Sequence, residues 1–173
     1  MRCIDTVDLT LEPQLAAHAE AMFAVLSDPA IYEYENAPPA SLEWLRTRYA
    51  KLESRRSADG QQQWLNWVVR SVPGELMGYV QATVLADGSA LIAYEFASAY
   101  WGRGFASQAV TAMMAELASH YQTREFWALL KRENHRSMRL LQQLGFALAS
   151  NKERVAHAAA IDEALMHRLA EKP

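Results

Sequence analysis

The chain has one cysteine, Cys3, so no disulfide can form within it, and a lone thiol fits a reducing compartment. Positive charge is not in excess either: 17 Lys and Arg stand against 20 Asp and Glu, for a net charge of -3. A protein that grips nucleic acid through its phosphates needs a basic face, and this balance excludes that reading. No apolar run approaches the ~20 residues that a membrane helix requires. Met1 to Leu11 carries Asp5 and Asp8 and lacks the apolar segment of a secretory signal, so a soluble cytoplasmic protein with no membrane partner is expected. The five histidines, His18, His120, His135, His157 and His167, contain no HExxH spacing, and no metal is predicted. Repeats and low-complexity tracts are absent as well.

What is present is the balance of a packed globular domain, 51% apolar and 21% charged. A length of 173 residues suits one domain, with a core from about 8 to 169. Ile4, Val7, Leu9 and Leu11 alternate as a first strand would, ended by Pro13. Leu15, His18, Ala19, Met22, Phe23 and Leu26 have helical spacing, and Asp28-Pro29 stops that helix. A polar and aromatic loop, Ile31 to Pro39, precedes Ser41, the predicted N-cap of a second helix to about Ser54. The period then changes. Trp64 to Arg70, Met77 to Leu85 and Ala90 to Phe96 read as three antiparallel strands joined at Pro73-Gly74 and Asp87-Gly88. A helix to about His120 follows, then a strand Phe126 to Leu130, and a helix His135 to Leu144 with Gly145 as its left-handed cap. Two strands are expected beyond Phe146, the second over Asp162 to Leu169. This order predicts an α/β domain with a mixed, mostly antiparallel sheet of about seven strands and about four helices.

The most informative segment is Tyr100-Trp101-Gly102-Arg103-Gly104-Phe105-Ala106-Ser107. It leaves a strand and opens a helix. Small residues at 102, 104 and 106 let backbone amides approach a ligand, and a helix N-terminus offers unpaired N–H groups suited to a pyrophosphate. The alternative is a tight turn that binds nothing. The Gly-Lys-Ser/Thr ending of a Walker loop is missing, and Ser107 replaces the third glycine of a dinucleotide fingerprint.

Trp101-Gly102-Arg103-Gly104-Phe105-Ala106 resembles the Gln/Arg-x-x-Gly-x-Gly/Ala loop of the GCN5-related N-acetyltransferases (GNAT), with Trp in place of Gln/Arg. The Tyr-Trp-Gly-Arg-Gly opening looks like the branch that holds the ribosomal-protein N-terminal acetyltransferases. A second block, Asn134-His135-Arg136-Ser137 through Leu141 to Gly145-Phe146, is similar to that family's Asn-x-x-Ser-x-x-x-Leu-x-x-x-Gly-Phe helix. The resemblance implies an α+β GNAT fold over nearly the whole chain. It also implies acetyl-coenzyme A as co-substrate, with its pyrophosphate on the loop from Trp101 to Ser107. The pantetheine arm would lie beside Asn134 and Ser137, with the Phe96 N–H facing the thioester carbonyl.

Acetyl transfer to an amine needs a proton acceptor, a polarised carbonyl and a thiolate that can leave. Glu95 interrupts the apolar run Leu91 to Phe96 and is either a general base or a solvated or salt-bridged strand end. Ser137 is a candidate acid for the thiolate, since Leu141 occupies the position where many relatives place a tyrosine; otherwise it serves its own helix. His157, placed in the terminal strand region, is a third candidate base or an ordinary surface histidine. Trp64, Trp67 and Tyr79 are expected to pack the sheet. In relatives the connection between the first two helices overlies the acceptor, so Tyr32, Glu33, Tyr34 and Glu35 of the Ile31–Pro39 loop either suit a cationic amine there or belong to a solvated loop. The acceptor is expected to be a protein N-terminus, a lysine or a small amine, and a homodimer is the candidate assembly. The competing readings are an acyl-coenzyme A sensor without turnover and a structural domain with a vacant loop.

Overall fold

The computed structural model describes residues 1–34, 36–72 and 74–170. Its strands are β1 (Ile4–Asp5), β2 (Leu9–Pro13), β3 (Gln62–Ser71), β4 (Leu76–Leu85), β5 (Ser89–Phe96), β6 (Glu125–Lys131), β7 (Ala147–Leu148) and β8 (Glu163–Leu169). The helices are α1 (Ala19–Val25), α2 (Leu42–Leu52), α3 (Phe105–His120), α4 (His135–Gln143) and α5 (Asn151–Ala156). The strands form one sheet in the order β1-β2-β3-β4-β5-β6-β8-β7. Among the described strands only β5 and β6 pair in parallel.

Alternation in β3 sets the layers. Leu65, Trp67 and Val69 face a core completed by Met113, Leu117 and Leu141 from α3 and α4. Val68 faces the other side, where Ala19, Met22, Leu45 and Tyr49 bring α1 and α2 together. Trp67 is fully buried and donates its indole N–H to the Arg2 carbonyl at 3.0 Å, which ties the N-terminus to the sheet.

The mixed, mostly antiparallel sheet agrees with expectation, with more elements than counted. The first strand is in fact a hairpin, because the Thr6 hydroxyl bonds both the N–H and the carbonyl of Leu9 at 3.0 Å and turns the chain. The helix expected from Gln14 starts as a 3-10 turn over Ala16–His18 before α1. The additional helix is α5, begun by a Ser150–Glu153 capping box. His157 therefore caps the C-terminus of α5 instead of lying in a strand. Ser41 accepts from the Trp44 N–H and starts α2 as predicted. The Gly74 N–H donates to the Ser71 carbonyl at 2.7 Å in the β3–β4 turn, while Pro73 lies outside the described residues.

Candidate active site

The parallel pairing of β5 with β6 covers only Ser89–Leu91 against Glu125–Trp127. Beyond Leu91 the two strands part, β6 staying with β8 and β5 with β4. A cavity of about 700 Å³ occupies this opening. Its walls are the end of β5, the glycine loop that starts α3, and the first turn of α4. Of the residues predicted for the cofactor, Phe96, Trp101, Gly102, Gly104, Phe105, Ala106, Ser107, Asn134 and Ser137 all line it, as does Glu95. The Arg103 side chain does not; its guanidinium lies 4.9 Å from the centre of the Phe105 ring.

Gly104 is the N-cap of α3, in the left-handed region at φ 81°, and no side chain caps the helix. The first amides of α3 thus remain available at a positive dipole end. A Cβ built on Gly102 or Gly104 would meet no protein atom within 4 Å, so open space adjoins those amides. That combination fits an anionic pyrophosphate.

The end of β5 is fixed from three directions. Gly78 pairs with Phe96 across β4 and β5, and a Cβ there would overlap the Glu95 carbonyl oxygen and come within 2.8 Å of Phe96 Cα. The Ala97 N–H donates to the Met77 carbonyl at 3.0 Å. Strand alternation therefore turns the N–H and carbonyl of Phe96 away from β4 and toward the opening. Trp101 Nε1 donates to that carbonyl at 2.7 Å, and the Phe96 N–H points at the cavity. The Arg136 guanidinium sits 3.4 Å from the centre of the Trp101 ring and 3.6 Å from the Glu33 carboxylate. Thus the tryptophan that departs from the family loop braces β5 and links it to α4.

Asn134 caps α4, its Oδ1 accepting from the Ser137 N–H at 3.1 Å. The Tyr94 hydroxyl, also in the cavity, donates to the Ser137 carbonyl at 3.4 Å. Burial pushes the Tyr94 phenol up to about 12, so it stays a protonated donor at neutral pH. Leu141 is buried in the core and takes no part in the cavity.

Glu95 accepts from Asn36 Nδ2 at 3.3 Å and from the Tyr79 hydroxyl. Burial and the adjacent Glu95 charge push the Tyr79 phenol well above its ordinary value. Glu95 also lines a second cavity of about 290 Å³, under α2. Tyr32 lines that cavity and Tyr34 the first, while Glu35 lies outside the described residues. Asp28 joins this loop to the site: its carboxylate accepts from the Ser98 N–H at 2.6 Å, and hydrogen bonding to the Ser98 side chain, together with that backbone bond, holds its pKa below the usual value.

His157 is not brought to either cavity. Its ring packs 4.2 Å from the centre of Trp127, beside His167. Among the described residues, no three His, Cys, Asp or Glu side chains are grouped so as to hold a metal ion. Sequence reasoning missed Tyr94 and Gly78. Tyr94 was within reach, since it stands two positions from Phe96 and so shares its face of β5. Gly78 gave no signal, because only the strand register shows what its missing side chain would strike.

Residues 8–147 match the family model described as an acetyltransferase (GNAT) domain. An uncharacterized N-acetyltransferase, p20, of Bacillus licheniformis is 26% identical over 148 residues, covering 84% of this chain and 83% of that protein. RimL, a ribosomal L7/L12 α-N-protein acetyltransferase solved with coenzyme A, superposes with a TM-score of 0.80 at 18% identity, over 96% of this chain and 97% of RimL. A spermidine N-acetyltransferase of Vibrio cholerae, solved with coenzyme A and spermine, superposes with a TM-score of 0.75 at 18% identity, over 95% and 97%. Those two likenesses are of fold. The sequence match spans most of the chain, and with it the chain belongs to the GNAT acetyltransferase family.

Proposed function

We propose that this protein transfers an acetyl group from acetyl-coenzyme A to a primary amine by direct attack within one ternary complex. The observation that carries this reading is the position of Glu95, which lines both the cavity of the glycine loop and the second cavity under α2. A donor in the first and an amine in the second meet at that carboxylate. Acetyl-coenzyme A supplies the activated thioester.

The chain's own groups do the rest. The amides of Arg103 to Ser107 bind the pyrophosphate at the start of α3. The exposed edge of β5 pairs with the pantetheine arm, and the Phe96 N–H polarises the thioester carbonyl. Glu95 takes the proton that the amine loses as its nitrogen bonds to the carbonyl carbon. The C–S bond then breaks and the sulfur leaves as thiolate. Tyr94, with a phenol pKa of about 12, is a weaker acid than a thiol at about 8.5. It therefore stabilises the thiolate by turning its one O–H from the Ser137 carbonyl to the sulfur, and solvent supplies the final proton.

Thiol release with acetyl-coenzyme A and an amine panel tests the reaction. Glu95→Gln keeps the shape and removes the charge, so kcat should fall by about 10² to 10⁴ and the acidic limb of the pH–rate profile should flatten. Parental rates with the parental limb would remove Glu95 from the chemistry. Coenzyme A binding with no thiol release to any amine would favour a sensor.

A further inference from the structure

The cavity under α2 carries its own chemistry. It lies against the sheet face that bears Asn66, Tyr79 and Gln81. Gln14 and Tyr49 line it and are only 5% and 4% exposed. Gln14 Nε2 and the Tyr49 hydroxyl are buried there without a hydrogen-bond partner among the described residues. Buried polar groups are nearly always paired, and an unpaired one is costly. Two in one cavity, both able to donate, call for an acceptor from outside the protein.

Charge points the same way. Among the described residues, Arg48 and Glu95 are the only charged side chains that line this cavity. Arg48 sits on α2 next to Tyr49, its guanidinium 5.6 Å from the centre of the Trp44 ring. Glu95 lies at the opposite strand, across from Tyr79. Gln81 is two residues beyond Tyr79, which puts it about 7–8 Å diagonally from Glu95. It pairs with Asn66, whose carbonyl accepts from the Gln14 N–H at 2.9 Å. The cavity therefore holds a carboxylate at the junction with the glycine-loop site, a cation on α2, and two unpaired donors, Gln14 and Tyr49.

We propose that the acceptor is a small amine that also bears a carboxylate, an amino acid in the broad sense. Its amine lies at Glu95, and Arg48, Gln14 and Tyr49 receive its carboxylate. This rests on the acetyltransferase reading above. A polyamine offers the cavity the wrong partner: it would set a cation beside Arg48 and give Gln14 Nε2 nothing to bond. At about 290 Å³ the space stands at the lower end of the ~300–1,000 Å³ of ligand pockets, which suits one small molecule.

The test pairs each amino acid with the amine of the same skeleton lacking the carboxylate. The pairs are 3-aminopropanoate with ethylamine, 4-aminobutanoate with propylamine, 6-aminohexanoate with pentylamine, and phenylalanine with phenethylamine; spermidine is added. Binding is measured by calorimetry on the protein saturated with coenzyme A, and turnover by thiol release from acetyl-coenzyme A. At least one carboxylated member should bind about tenfold or more tightly than its partner, the value of a charge-assisted hydrogen bond. Arg48→Met, at an exposed helix position, should remove most of that ratio. Tyr49→Phe should weaken the amino acid several-fold while the ligand-free protein melts at the same temperature or higher, because an unpaired buried hydroxyl is gone. A purely structural tyrosine would lose stability instead. Binding of spermidine or the plain amines as tightly as the amino acids overturns the proposal and leaves the acetyltransferase reading standing. So does an unchanged ratio in Arg48→Met, or failure of every amino acid to bind. Failure to bind coenzyme A, seen before any acceptor is added, overturns both.

Discussion

Gly104 works twice: its positive φ turns the chain into α3, and its missing side chain keeps the adjacent space open. Gly104→Ala adds a Cβ that meets no protein atom, so its cost to folding is the left-handed backbone alone, about 1–2 kcal/mol. Gly104→Val adds methyl groups across the phosphate path and should abolish measurable coenzyme A binding in a calorimeter; parental affinity would refute the loop assignment. Tyr94 invites a milder test. Loss of one hydrogen bond to the leaving sulfur is worth about 0.5–1.5 kcal/mol, so Tyr94→Phe should lower kcat by about two- to tenfold and leave the KM for acetyl-coenzyme A unchanged. Ser137→Ala should be of the same order or smaller. A loss of a thousandfold in Tyr94→Phe would instead make the phenol an obligatory proton donor.

α4 is fixed at both of its ends beside the larger cavity. Asn134 caps its first turn. At the other end Gly145, at φ 82°, donates to Gln142 and Phe146 donates to Leu141, the paired bonds that close a helix onto a glycine. Leu141 between them is buried in the core, so the helix is held rigidly enough to present Asn134 and Ser137 to the cavity. Asn134→Ala should cost about 0.5–2 kcal/mol of stability through the lost cap and weaken coenzyme A modestly. Asn134→Ser restores a capping oxygen without the carboxamide. If Ser restores the melting temperature but not coenzyme A affinity, as expected, the carboxamide contacts the ligand; recovery of both would assign Asn134 to capping alone.

The assembly as a whole is a sheet with a core on each face, opened on one side by the divergence of β5 from β6. The larger cavity occupies that opening and the smaller one adjoins it at Glu95, and Asp28, Arg136 and Trp101 couple the loop after α1 to the end of β5 and to α4. Away from the site, Glu12 and Arg70 bridge β2 and β3 with bonds of 2.7 and 3.1 Å. The Arg70 hydrogen bond, with its charge, holds the Glu12 carboxyl below its ordinary 4.5. The carboxylate is thus stabilised in the folded state. Its contribution is full above pH 4.5 and is lost as pH falls through the lower folded value. Arg70→Met should therefore lower the melting temperature more at pH 7 than near pH 3, where the lost bond to the Gly74 carbonyl at 2.7 Å still counts; a difference that is constant across that range would show that the ion pair adds no pH-dependent stability.

The sequence alone carried the order of most elements, the strands β3 to β6, the caps at Ser41 and Gly145, and the two motifs that resemble the family. These are local or pairwise in chain distance, and hydrophobic period and capping chemistry report them directly. The capping box at Ser150 was equally legible and shows why His157 leaves the strand. What the chain order cannot express is which distant groups share a space. The splay of β5 from β6, the clash that keeps Gly78 bare, the reach of Tyr94 to α4, and the meeting of Gln14, Arg48, Tyr49 and Glu95 around one cavity depend on strand register and helix docking. Those are set by packing between segments far apart in the chain, so the glycine loop could be read from residues, and the cavity under α2 only from the folded protein.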